Sequence, residues 1–161
     1  MKLQATIVLA ASCWVSVLGG CGREEPSGPP AIRMGRDECV KCGMSIVEDR
    51  FSCAILVLDN GHLDYQLFDD IGDMFDHERA SPELVIKKRF VHDCNTRAWH
   101  EAERCTFTYA ESVHTPMASG LAAFGDEASA RAQAEKAGGR VLTFEQAAAF
   151  RVAWRVERYG K

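Results

Sequence analysis

No apolar run in this 161-residue chain is long enough to be a stable membrane span. The longest, Ala5 to Leu18, is too short and stands behind a single lysine, Lys2. There is no glycine-rich phosphate loop, no nucleophile–base triad and no carboxylate pair placed for acid–base work, so an enzyme is not expected. Basic tracts and low-complexity segments are missing too. Beyond residue 20 there are 18 basic and 23 acidic side chains, a net charge of −5, which argues against nucleic acid as a partner.

What is present begins with the N-terminus. Met1 and Lys2 form a minimal positive region, and Ala5 to Leu18 an apolar one. Leu18-Gly-Gly-Cys21 then resembles the lipobox of bacterial lipoproteins, whose cysteine is lipidated and becomes the first mature residue. Residues 1–20 therefore read as a lipoprotein signal peptide. An acylated Cys21 carries enough hydrocarbon for stable anchoring, so the membrane is a partner through that lipid. The body of the protein is then expected on the periplasmic side of the cell envelope, lipid-anchored to the inner or outer membrane. Residues 21–35 combine this cysteine with a Gly-, Pro- and Ser-rich linker. The remaining stretch is one ordinary domain or two very small ones.

Five cysteines remain when Cys13 leaves with the signal and Cys21 is acylated: Cys39, Cys42, Cys53, Cys94 and Cys105. An odd number outside the cytoplasm leaves at least one buried, metal-bound or reactive. Cys53 sits in an apolar run and is expected to be buried; a Cys94–Cys105 disulfide is compatible with the compartment.

The element pattern is β-β-α-β, twice. Phe51 to Leu58 is a β-rich run, Asp59-Asn-Gly61 a hairpin turn, and Leu63 to Phe68 the returning strand. Asp69-Asp70 caps a short helix with Ile71, Met74 and Phe75 on one face, ended by Ser81-Pro82, and Val85 to His92 is a third strand. In the second half Cys105 to Tyr109 and Met117 to Phe124 read as strands around a Ser112–Pro116 turn. Gly125-Asp126 caps a helix stopped at Gly138-Gly139, Arg140 to Leu142 is a strand, and Thr143 with Gln146 opens a last helix with a capping box. The fold class expected is α+β, two similar small units packed together, spanning 36–94 and 95–161.

Chemistry concentrates in Asp37-Glu-Cys-Val-Lys-Cys-Gly-Met44. The Cys39-x-x-Cys42 pair admits a structural zinc knuckle, which needs a second ligand pair. It also admits a thiol–disulfide protein, although Gly43 and the β-branched Ile46-Val47 disfavour the helix start such a motif uses. The third reading is cuprous copper, which accepts thiolate and thioether together and so gives Met44 a role. A second soft cluster, His114-Thr-Pro-Met117, lies in the other half, where Pro116 keeps the segment out of a helix.

Taken jointly, Cys39-Val-Lys-Cys-Gly-Met-Ser-Ile46, Phe68-Asp-Asp-Ile-Gly72 and Thr115-Pro-Met-Ala-Ser-Gly-Leu-Ala-Ala-Phe124 resemble the NosL family, in order and over nearly the whole mature chain. The resemblance implies a membrane-anchored Cu(I)-binding metallochaperone. Its cargo would serve assembly of the copper–sulfide centre of nitrous oxide reductase, with the reductase apoprotein and its membrane-bound maturation machinery as partners. It implies a shape related to organomercurial lyase. With it the expected ligands are Cys42, Met44 and Met117, Cys39 as a further donor and His114 as a weaker one. Phe68, Asp69, Asp70, Thr115 and Pro116 are expected to shape the site. Members of the family often carry a cysteine where this chain has Asp73; that cysteine is taken as dispensable, because the thiol and thioethers elsewhere suffice.

Overall fold

The computed structural model describes residues 25–160, so the expected signal peptide and the lipidation site Cys21 lie outside the described residues. The first half contains β1 (Cys53–Asp59), β2 (His62–Phe68), α1 (Ile71–Ala80) and β3 (Val85–His92). After a short β4 (Trp99–Glu101) come β5 (Thr106–Tyr109), β6 (Leu121–Phe124), α2 (Glu127–Ala137), β7 (Arg140–Leu142) and α3 (Phe144–Tyr159). The strands form two antiparallel sheets, in the orders β2-β1-β3-β4 and β6-β5-β7. In each half the first strand is central, the second and third flank it, and a helix joins those two. The chain is α+β, with the ββαβ order repeated.

Local chemistry explains most boundaries. Asn60 and Gly61 both have positive φ, the geometry of a two-residue hairpin turn matched to strand twist. Asp70 caps α1 by accepting from Gly72 N–H at 2.7 Å, and Asp126 caps α2 by accepting from Ser129 N–H at 2.8 Å. Thr143 and Gln146 close a reciprocal capping box on α3. Gly138 ends α2 in the left-handed conformation.

The structure departs from the sequence reading at three points. The strand foreseen from Met117 begins only at Leu121, because residues 115–120 close a tight turn with positive φ at Ala118 and Gly120. β4, only three residues long, was not foreseen; it adds to the first sheet from beyond residue 94. Cys94 and Cys105 are free thiols, and Cys105 donates instead to the Glu101 carbonyl at 3.6 Å.

One apolar core runs through both halves, from Ile46, Ile55, Phe68 and Met74 to Phe107, Leu121 and Ala147, with Phe150 and Trp154 of α3 packed against it. The sheets also touch along the backbone. Asp93 and Ala123 form a parallel bridge, where Cys94 N–H donates to the Ala123 carbonyl at 2.8 Å.

Candidate metal centre

Cys39 and Cys42 sit on a small hairpin whose arms pair at Glu38 and Ser45. Cys39 N–H donates to the Met44 carbonyl and Gly43 N–H to the Cys39 carbonyl, each at 2.8 Å. Gly43 has φ of 74°, a conformation costly for a residue with a side chain, so the glycine after the second cysteine allows the turn to close. Val40 N–H donates to the Leu67 carbonyl at 2.9 Å and fastens the hairpin to β2. Cys39 is thereby buried and Cys42 half-buried.

Facing them is the start of α1. A ligand atom from each of Cys39, Cys42, Asp69 and Asp73 lies within 4.8 Å of the others. The Cys39 thiol donates to Asp73 Oδ2 at 3.8 Å, and the Cys42 thiol meets both Asp69 oxygens at 3.7 Å. Both carboxylates are nearly inaccessible, Asp69 at 3 % and Asp73 at 4 % exposure. Among the described residues, thiols are the hydrogen-bond donors that reach them. Nearby buried carboxylates are satisfied differently. Asp76 takes Arg151 at 2.8 Å and Arg155 at 2.7 Å, and Asp70 takes backbone and hydroxyl donors.

Burial raises the pKa of the Cys39 thiol well above its ordinary value, and to a lesser degree that of Cys42. Burial and the negative charges of Asp70, Asp69 and Asp76 push the Asp73 carboxyl up to about 6. A buried nest of protonatable sulfur and oxygen gains most from a cation that replaces those protons.

The second half reaches this site through Asp70. Its Oδ2 accepts from the Thr115 hydroxyl at 2.6 Å and from Met117 N–H at 2.9 Å, while Oδ1 caps α1. Thr115 Oγ1 in turn accepts from Ser119 N–H at 2.9 Å, and Ala118 N–H closes a β-turn onto the Thr115 carbonyl with Pro116 inside it. Gly72 permits the approach: a Cβ there would lie 2.5 Å from Ser119 Cβ and 2.9 Å from Arg151 Cζ. Thus Thr115, Pro116 and Met117 are held against the first turn of α1, one residue from Asp69. Phe68 is fully buried in the core.

The other expected ligands are placed unevenly. Met44 is on the hairpin with its side chain 47 % exposed. His114 is exposed and lines a separate cleft with Tyr109, Trp154 and Arg158. Sequence reasoning missed Asp73 as a donor and gave Asp69 only a shaping role. Nothing local marked them, because Asp69 precedes the Asp70 N-cap and Asp73 stands in the first turn of α1, where acidic residues are common.

A protein-family model described as NosL matches residues 31–149. The chain belongs to the NosL family. It is 30% identical over 142 residues to the copper-binding lipoprotein NosL of Stutzerimonas stutzeri, a match covering 80% of this chain and 73% of that protein. The crystal structure of the copper chaperone NosL from Shewanella denitrificans superposes with a TM-score of 0.65 at 23% identity. That superposition covers 75% of this chain and 96% of the other, and shows that the NosL fold is shared.

Proposed function

We propose that this NosL-family protein is a Cu(I) carrier, lipid-anchored through Cys21 on the periplasmic side of the envelope. It supplies copper for assembly of the copper–sulfide centre of nitrous oxide reductase, through the reductase apoprotein and its membrane-bound maturation machinery. The observation that carries the reading is the Cys39–Cys42 thiol pair, set on a constrained hairpin with one sulfur buried and one half-exposed. Soft thiolates select cuprous copper, and the reading adds as donors the thioethers of Met44, on the hairpin, and of Met117, whose backbone N–H donates to Asp70. The names of the two relatives, a copper-binding lipoprotein and a copper chaperone, support the same cargo.

The chain's own residues divide the work. Cys39 holds from inside, Cys42 faces the exit, and Asp70 keeps the second half in register. A low-coordinate ion lets an incoming donor bind before Cys42 lets go. This is a carrier's task and involves no enzymatic turnover. Because each thiol must lose its proton to bind metal, affinity falls as pH falls.

The test is titration of the reduced protein with Cu(I) against a chromogenic cuprous chelator. One ion per chain is expected, with at least a 100-fold loss of affinity in Cys42→Ser and at least tenfold in the Met44→Ala, Met117→Ala double variant. Absence of Cu(I) binding overturns the carrier, and unchanged affinity in the double variant removes the thioethers.

The carboxylates favour a second reading. Two sulfurs and two oxygens suit a tetrahedral zinc ion, whose S···O edges are roughly 3.5 Å long, against thiol–carboxylate separations of 3.7 and 3.8 Å here. A structural zinc site predicts that a zinc chelator lowers the melting temperature. It also predicts that Asp73→Asn weakens zinc at least tenfold more than Cu(I). A thiol–disulfide protein is disfavoured, because burial raises both thiol pKa values where that chemistry needs them lowered.

A further inference from the structure

Away from the metal site, the second half holds a large cleft that the carrier reading leaves unused. It lies between the ends of β5 and β7, the α2–β7 corner and α3, and has a volume of about 940 Å³. Clefts of that size ordinarily hold small molecules. A recess of about 520 Å³ adjoins it and shares Tyr109, Glu111, Trp154 and Arg158 as walls. Two glycines on its walls pack tightly against the Tyr109–Ala110 segment. A Cβ on Gly139 would collide with the Tyr109 carbonyl oxygen and lie 2.8 Å from Ala110 Cβ. One on Gly120 would lie 2.6 Å from the Ala110 carbonyl oxygen.

The walls are aromatic rings with guanidinium groups laid over them. Tyr109 and Phe150 meet at 4.2 Å between ring centroids. Arg140 is the cross-strand partner of Tyr109, and its Cζ lies 5.6 Å from the Tyr109 ring and 5.1 Å from that of Phe150. Trp154 follows Phe150 a turn later, about 6 Å along the axis of α3, with Arg158 Cζ 4.9 Å from its ring. Stacking holds a guanidinium by its face and leaves its in-plane N–H groups free. Other arginines direct those donors at carboxylates, Arg89 at Glu78 and Glu103, and Arg151 at Asp76. Among the described residues Arg140 and Arg158 have no ion-pair partner, and both are exposed at the cleft. Glu111 and Glu157 line it too. They balance the two arginines, so the cleft has no net positive charge to attract a polyanion. A single anionic group meeting the free N–H groups, on a flat body that lies along the rings, complements it.

We propose that this cleft binds a small aromatic monoanion, a carboxylate or sulfonate. Its charged group accepts hydrogen bonds from the Arg140 and Arg158 guanidiniums, and its ring packs on Tyr109, Phe150 and Trp154. The binding needs no metal and stands apart from the carrier reading.

The probe is 4-nitrobenzoate, whose nitro ring quenches tryptophan fluorescence on contact. The metal-free full chain, held in lipid nanodiscs with empty discs as the blank, is titrated by fluorescence and by calorimetry. A single saturable site is expected, with Kd of about 1 mM or tighter. The uncharged isostere 4-nitrobenzamide is expected to bind about tenfold more weakly, as is 4-nitrobenzoate in the Arg140→Gln, Arg158→Gln double variant. Trp154→Phe should remove the saturable quenching while the heat of binding remains. Absence of a saturable site in the wild-type chain overturns the proposal. So does equal affinity for the benzamide or unchanged affinity in the double variant, since either shows only adsorption to apolar surface. The benzamide comparison uses the wild-type chain and therefore stands even if the double variant fails to fold. Saturable quenching that survives Trp154→Phe puts the probe elsewhere and overturns the site as well.

Discussion

Two corresponding corners of the molecule differ in the way that decides its chemistry. Phe68-Asp69-Asp70 and Phe124-Gly125-Asp126 each join the second strand of a ββαβ unit to its helix, and in each the last residue is the N-cap. Asp126 is exposed and caps α2 through Ser129. That bond holds its carboxyl below the ordinary carboxylate range. Asp70 is completely buried and ties α1 to the turn that presents Met117. Where the first corner has Asp69 facing Cys42, the second has Gly125, and a Cβ at Gly125 would lie 2.7 Å from the His100 ring. Like local structure thus supports a donor cluster at one corner and a plain helix start at the other. Capping chemistry is local; metal chemistry depends on what the opposite element brings.

The largest test of this contrast lies in the helices. Asp76 on α1 is 2 % exposed and pairs with two arginines of α3, whereas Glu127 on α2 pairs with Arg131 in solvent. Asp76→Ala is expected to cost about 3–5 kcal/mol, because it strands buried guanidinium charge. Glu127→Ala should cost about 0.5 kcal/mol or less. Urea unfolding of the two variants gives both numbers, and equal losses would break the comparison.

The caps come next. Asp70→Ala removes the cap and both anchors of the Thr115–Met117 turn, an expected loss of about 3 kcal/mol, against a clearly smaller loss for the exposed cap in Asp126→Ala. The first variant should also weaken Cu(I) binding in the same titration, while the second should not.

Gly72→Ala pushes a methyl into Ser119 and the Arg151 guanidinium, at an expected cost of roughly 2–3 kcal/mol. Calorimetry should show the lowered melting temperature.

The smallest effect is a pH slope. In the folded metal-free protein Asp73 holds its proton up to about pH 6, above the roughly 3.9 of an unfolded aspartate. Between those values the folded chain binds more protons than the unfolded one, so stability falls as pH rises, by about 2 kcal/mol from pH 4 to 6. Asp73→Asn should flatten that contribution in urea melts at pH 4, 5 and 6, and an unchanged slope would show that the carboxyl is not held protonated.

Much of this was legible in the chain. The hairpin turn at Asn60-Gly61, the caps at Asp70, Asp126 and Thr143, and the helix stop at Gly138 each depend on a few adjacent residues, and each appears in the structure. Family membership was legible for the same reason, since its motifs are short and ordered. The strand expected from Met117 was not, because the Thr115–Gly120 turn is stabilised by Asp70, far away in sequence. The donor role open to Asp73 was hidden in the same way. A carboxylate in the first turn of a helix ordinarily complements the helix dipole in water. Only burial against Cys39 removes its other partners.

The sequence by itself determined the ββαβ repeat, the hairpin turn and the helix caps, because periodicity, capping and turn formation act over a few residues. Only the tertiary structure decided which of these groups meet. It folded the cysteine hairpin onto β2, set Asp69 and Asp73 opposite the thiols, and drew the Thr115–Met117 turn onto Asp70. Those contacts cross tens of residues and form only when a shared core excludes water from both halves at once.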